Sequence, residues 1–136
     1  MKTDIKNIAA LVATAIWADG EYDEAEKIAV EEIAEAFELD CAALSAQVDE
    51  ELKAVEAMSE EEVNNYITDH AGKVAAEEAE YVLQAVLQVV IVDGVLGAEE
   101  IENVMSIAAS LGVNETRAIL MLADLVKEEP ELEIEL

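Results

Sequence analysis

The carboxylates of Asp19, Glu21, Asp23 and Glu26 gather within eight residues. Hard divalent cations such as Ca2+, Mg2+ and Mn2+ take oxygen ligands, so the residue types of this stretch fit metal binding. The spacing is not that of an EF-hand. With Asp19 as the first loop position, the sixth is Glu24 where glycine is required, and the twelfth is Val30 where a bidentate glutamate is required. A second stretch carries Asp93, Glu99 and Glu100, but Val95 and Gly97 stand where the first has Glu21 and Asp23. A cation is therefore expected to prefer the first stretch. Helix capping accounts for the same residues without any ion. Asp19-Gly20 ends one helical pattern, and Asp23-x-x-Glu26 has the spacing of a capping box that opens the next.

Other reactive side chains are sparse. His70 is the sole histidine and lies on an apolar helical face, where a packed, hydrogen-bonded role is expected. A general base would need a partner and a nucleophile that the sequence does not supply. Cys41 is the sole cysteine, which excludes an internal disulfide and a cysteine-based metal cluster. Trp17 precedes the first acidic stretch, where it either locks the helix end or offers its ring to a partner. No glycine-rich phosphate loop, no Ser-His-Asp ordering and no basic patch is present. No catalytic residue is assigned, and an enzyme is not expected.

The 33 acidic residues outnumber 7 basic ones, for a formal net charge of −26. Nucleic-acid affinity comes largely from Lys and Arg displacing counterions, so a nucleic-acid partner is excluded. Anionic lipid is repelled for the same reason. Cations and basic protein surfaces are attracted. The chain is 54% hydrophobic, too apolar for charge-driven disorder. Its apolar runs are far shorter than the roughly 20 residues that span a bilayer, so no membrane insertion is expected. A cytoplasmic protein is the expectation, peripheral at the inner membrane if a partner holds it there.

Seven helices must position these residues. The first runs from about Asp4 to Ala18, with Ile5, Ile8, Val12, Ala15 and Ile16 on one face. The second starts at Asp23 and turns Ala25, Ile28, Ala29, Ile33, Ala36 and Phe37 inward. Asp40 caps the third, with a stripe of Leu44, Val48, Leu52 and Val55. Ser59-x-x-Glu62 opens the fourth. The fifth, from about Val74 to Val92, is apolar on most sides and is expected to be the hub. Its Val89 to Val92 run reads as helix because no second strand is in view to pair with it. The sixth ends at Leu111-Gly112. Asn114 caps the seventh, with Ile119, Leu122, Ala123 and Val126 facing in, and Pro130 stops it. Residues 1–129 read as one domain and residues 130–136 as a loose acidic tail.

The chain also repeats itself. An offset of 74 residues sets Asp19 on Asp93, Val12 on Val86, Ile16 on Val90, Glu26 on Glu100, Ile33 on Ile107 and Asp40 on Asn114. The expected fold is thus all-α, about seven helices in a single compact bundle, with helices 1-2-3 resembling 5-6-7. In both copies Asp-Gly is followed by an apolar residue two positions after the glycine and by glutamate six positions after it. This doubled pattern resembles the tellurite-resistance TerB-like family, over nearly the whole chain. The resemblance implies a non-enzymatic binding module of a bacterial stress-response or envelope-associated complex. It implies a metal role for the residues that match the motif, Asp19, Glu26, Asp93 and Glu100. It also implies a protein partner, such as a membrane protein with basic cytoplasmic segments. Two other readings stay open at this point: a metal-dependent enzyme using the loop carboxylates, and a purely structural interaction domain without an ion.

Overall fold

The computed structural model describes residues 2–20, 22–92 and 94–135, without the side chains of Asp19 and Glu135. The described residues form α1 (Ile5–Asp19), α2 (Glu24–Ala36), α3 (Cys41–Glu56), α4 (Glu60–Ala71), a 3-10 turn (Ala76–Glu78), α5 (Ala79–Ile91), β1 (Val95–Gly97), α6 (Ala98–Leu111), α7 (Glu115–Glu128) and β2 (Glu133–Glu135). The fold is all-α, as the periodicity predicts.

The caps explain where the helices begin. Asp23 accepts a hydrogen bond from the Ala25 N–H, Asp40 from Ala43 and Asn114 from Thr116. Ser59 and Glu62 form both halves of a capping box. These bonds satisfy first-turn N–H groups that have no partner inside the helix. Asp4 does the same for α1, which stops at Gly20 in the left-handed conformation with φ 84°.

The hub is α1, not α5. Ile8, Leu11, Val12 and Ile16 are at most 1% exposed, and the alanines among them are as deeply enclosed. Helices α3, α4, α5 and α6 all pack on it. Ala9, Ala10, Ala13 and Ala15 keep its girth small, so neighbours approach from every side. Burying the four large side chains contributes roughly 6–12 kcal/mol as an upper bound. Helix α5 is buried on most of its surface but keeps one exposed stripe. It is also shorter than expected. Ala75 is extended, with its N–H bonded to Thr3 Oγ1 at 3.1 Å, and a 3-10 turn precedes the helix. Glu78 holds the N-terminal segment there, accepting from the Thr3 N–H at 2.8 Å and the Thr3 hydroxyl at 2.6 Å.

Two helical faces differ from the periodic reading. Helix α2 buries Glu26, Ala29, Val30, Ile33 and Ala34 and leaves Ile28 47% exposed. Helix α7 buries Ala118 and packs Met121, Leu122 and Leu125 on the core, leaving Ile119 51% exposed. A stripe of apolar residues wider than its contact lets the neighbour choose which edge to cover. The C-terminal segment differs as well. Its Glu133–Glu135 strand pairs in parallel with Val95–Gly97, and the Glu133 N–H bonds the Gly94 carbonyl at 2.9 Å. Leu132 packs on the core and anchors the segment that precedes the strand.

Candidate functional site

Gly20 stands between the buried α1 and the amphipathic α2, and Gly94 follows α5 and leads through β1 into α6. Gly20 and Gly94 have φ of 84° and 83°, a conformation that side chains with a Cβ adopt at a cost. Asp23 and Gly97 are the cap residues of the following helices, α2 and α6. Glu26 and Glu100 therefore occupy the same third position of their helices.

Of the predicted site residues, the structure describes the side chains of Asp23, Glu26 and Glu100. The side chain of Asp19, and Glu21 and Asp93, lie outside the described residues. Glu26 is drawn into the core to 1% exposure. Asp23 remains exposed at the start of α2, and a hydrogen bond with the Glu26 carboxyl is the first cause holding it below the usual carboxylate range. Tyr22 packs beside them. Burial first, then the negative charges of Asp49 and Glu26, push its phenol up to about 12. Lys27 Nζ lies 5.6 Å from its ring centre. Glu100 is half-buried, and a Cβ at Gly97 would stand 3.5 Å from its Oε1. Among the described residues no group of three or more acidic, histidine or cysteine side chains is arranged to hold a metal.

Next to the first turn lies a groove of about 590 Å3. The end of α1 contributes Trp17, the start of α4 contributes Glu60 and Asn64, and α6 contributes Glu99, Glu102 and Asn103. Asn103 Nδ2 reaches the Thr14 carbonyl at 3.4 Å and ties α6 to α1. The lining holds three carboxylates, one indole and no basic side chain. Glu60 and Glu99 also sit in first helical turns, where the helix dipole stabilises negative charge. The sequence flagged Trp17 and Glu99 but not their meeting with Glu60 and Glu102. Glu60 is far from Glu99 and Glu102 in the chain, and only the packing of α4 against α6 brings it to them.

A second cluster surrounds His70, whose packed, hydrogen-bonded role the sequence predicts, though not its partners. His70 Nδ1 lies 2.7 Å from Asn7 Oδ1, and both residues are buried. The Tyr66 ring meets His70 edge-on with centres 4.4 Å apart. The Tyr66 hydroxyl donates to Glu51, which also accepts from Gln47 Nε2 at 3.0 Å. Glu51 is only 6% exposed, although it sits one residue from the apolar stripe of α3 in a chain full of surface glutamates. Burial lowers the His70 pKa, outweighing the opposing pull of Glu51 and Asp69. Burial and the bond to Glu51 push the Tyr66 phenol far up. The Tyr66–Glu51 and His70–Asn7 hydrogen bonds fasten α1, α3 and α4 to one another.

An all-helical domain with two Asp-Gly turns, each followed by a glutamate at the third position of the next helix, defines the class of protein. Residues 6–123 match the model of the family described as tellurite resistance protein TerB, and the chain belongs to that family. The family is generally one of non-enzymatic domains. No curated protein and no solved structure matches the chain. Among the described residues no helix is long and apolar enough to cross a membrane.

Proposed function

We propose that the protein is a non-enzymatic TerB-like binding module of a bacterial stress-response or envelope-associated complex, and that it receives a basic segment of a protein partner. The observation that supports this best is the groove beside the first turn, where Trp17 stands among Glu60, Glu99 and Glu102. A lysine or arginine entering it meets carboxylates on two walls and an aromatic face on which a cation can rest. The net charge of −26 adds long-range attraction and speeds encounter at low salt. A membrane protein with basic cytoplasmic segments fits this chemistry as partner. Duplex DNA and anionic lipid do not.

A divalent cation at the first turn is a second element of the proposal. The donors are all oxygens, which suits Ca2+, Mg2+ or Mn2+. Asp23 and Glu26 would contribute from α2, with Asp19 and Glu21 completing the set. The burial of Glu26 to 1% in so acidic a chain supports the reading. A bound cation would offset the mutual repulsion of these carboxylates and stiffen the wall that carries Trp17.

Trp17 is the chain's sole tryptophan, so its fluorescence reports this groove alone. A Lys-rich peptide should shift its emission and bind with affinity that falls steeply between low and moderate salt. Exposed charge pairs contribute about 0.2–1 kcal/mol each, so the Glu99→Gln, Glu102→Gln double variant should bind roughly two- to thirtyfold more weakly. Unchanged affinity in that variant would sink the assignment of the groove.

A further inference from the structure

Along α5 the bundle leaves a trough lined by no residue of either turn. Its floor is the uncovered stripe of α5, with Tyr81, Gln84 and Gln88 in line, and Tyr81 is 61% exposed. A concavity of about 600 Å3 lies along its α2 side from Glu77 to Gln88, and two more, of about 440 and 190 Å3, lie along its α7 side. The first two share Glu77, Tyr81 and Gln84, and the last two share Gln84, Arg117 and Met121. Ile33 of α2 and Phe37 just beyond its end form one wall, while Met121 and Leu125 of α7 form the other. Glu38, Glu77, Glu80, Asp124 and Glu128 stand along the rim.

We propose that this trough docks one amphipathic α-helix of a protein partner, with an apolar stripe against Tyr81, Phe37, Met121 and Leu125 and Lys or Arg residues on its flanks. The dimensions suit a helix. From Glu77 to Gln88 the floor rises roughly 16 Å, about three helical turns. Helices of this kind bury their apolar face in such grooves through residues spaced three and four apart. The charge selects the flanks. The basic side chain at the rim, Arg117, is already engaged, with Nε donating to Glu80 Oε1 at 2.9 Å. The chain's own Lys2 shows the rim accepting an ammonium, with Nζ 2.8 Å from Glu77 Oε1 in an exposed pair. A second copy of the chain is a poor occupant, because each copy carries −26 and would bring acidic flanks to an acidic rim. The proposal is separate from the groove at Trp17, since the two surfaces share no lining residue.

The test uses three fluorescein-labelled peptides of about 14 residues, long enough to span the trough when helical. One is an amphipathic Leu/Lys helix, one a Leu/Glu helix with the same apolar stripe, and one a lysine homopolymer. Binding is read by fluorescence anisotropy near physiological salt. The Leu/Lys helix should bind at least about tenfold more tightly than either control, because only it matches both face and rim. Tyr81→Ser and Gln84→Lys change exposed residues and should leave the melting temperature nearly unchanged. Each should weaken the Leu/Lys helix by about tenfold, without altering the Trp17 response to a Lys-rich peptide. Equal binding of the lysine homopolymer, weakened by Tyr81→Ser as the Leu/Lys helix is, would overturn the proposal by showing that charge alone suffices in the trough. Equal binding of the Leu/Glu helix would overturn the role of the rim. Full binding to both variants would place the helix elsewhere, and sedimentation showing a dimer that Tyr81→Ser dissolves would make the trough a self-interface.

Discussion

Replacing Tyr66 with phenylalanine isolates one bond of the buried cluster. The ring keeps its place against His70, so no cavity opens and only the hydroxyl is lost. Glu51, 6% exposed, then retains the Gln47 amide as donor and loses the phenol. Hydrogen bonds to charged groups contribute about 1.5–3 kcal/mol, and a buried carboxylate short of a donor carries the upper part of that range. With an unfolding entropy of about 2.1 cal/mol/K per residue, a loss of about 2 kcal/mol lowers Tm by roughly 7 °C. The assay is urea denaturation at pH 7 of the wild type, Tyr66→Phe, Glu51→Gln and the double variant. In the Glu51→Gln background the hydroxyl faces a neutral amide, so Tyr66→Phe should cost only about 0.5–1.5 kcal/mol. A coupling of about 1 kcal/mol between the two changes should therefore appear. A Tyr66→Phe loss below about 0.5 kcal/mol, or strictly additive effects, would show that water replaces the phenol at no cost and that Glu51 is not held as described.

Gly20→Ala and Gly94→Ala should each cost about 1–2 kcal/mol in denaturant unfolding, the left-handed backbone penalty alone. An ideal Cβ meets nothing within 4 Å at either position, so a loss well beyond that would reveal a contact the geometry lacks. His70 has a folded pKa below its ordinary 6.5, so the unfolded chain takes up the proton first as pH falls. Stability should be full above 6.5 and decline below it, with His70→Gln flattening the Tm profile between about pH 7.5 and 5.5. A wild-type profile already flat there would mean that His70 titrates normally. Calorimetric titration of Ca2+, Mg2+ and Mn2+ should show the tighter event lost in Asp19→Asn and kept in Asp93→Asn. No binding below millimolar ion would leave capping as the sufficient account of the turns, and loss in both variants would mean one shared site.

What the sequence determined by itself is local. Asp23, Asp40, Ser59 and Asn114 cap the helices they precede, because a cap is made within a few residues of its own position. The all-helical class follows from apolar periodicity, and the family from two Asp-Gly patterns that survive as contiguous residues. The tertiary structure decided which faces are covered. It enclosed α1 rather than α5, because alanines admit neighbours that bulkier valines hold off. It turned α2 and α7 so that Ile28 and Ile119 face outward, because a broad apolar stripe leaves the contacting edge to the partner helix. It sank Glu26 and Glu51 among more than thirty acidic residues that look alike in one dimension. It also set Glu60 beside Glu99 and Glu102, and Phe37 across α5 from Met121. A binding surface assembled from residues far apart in the chain has no period and no spacing to betray it. Its shape comes into being only when helices that share no local interaction compete for the same buried area.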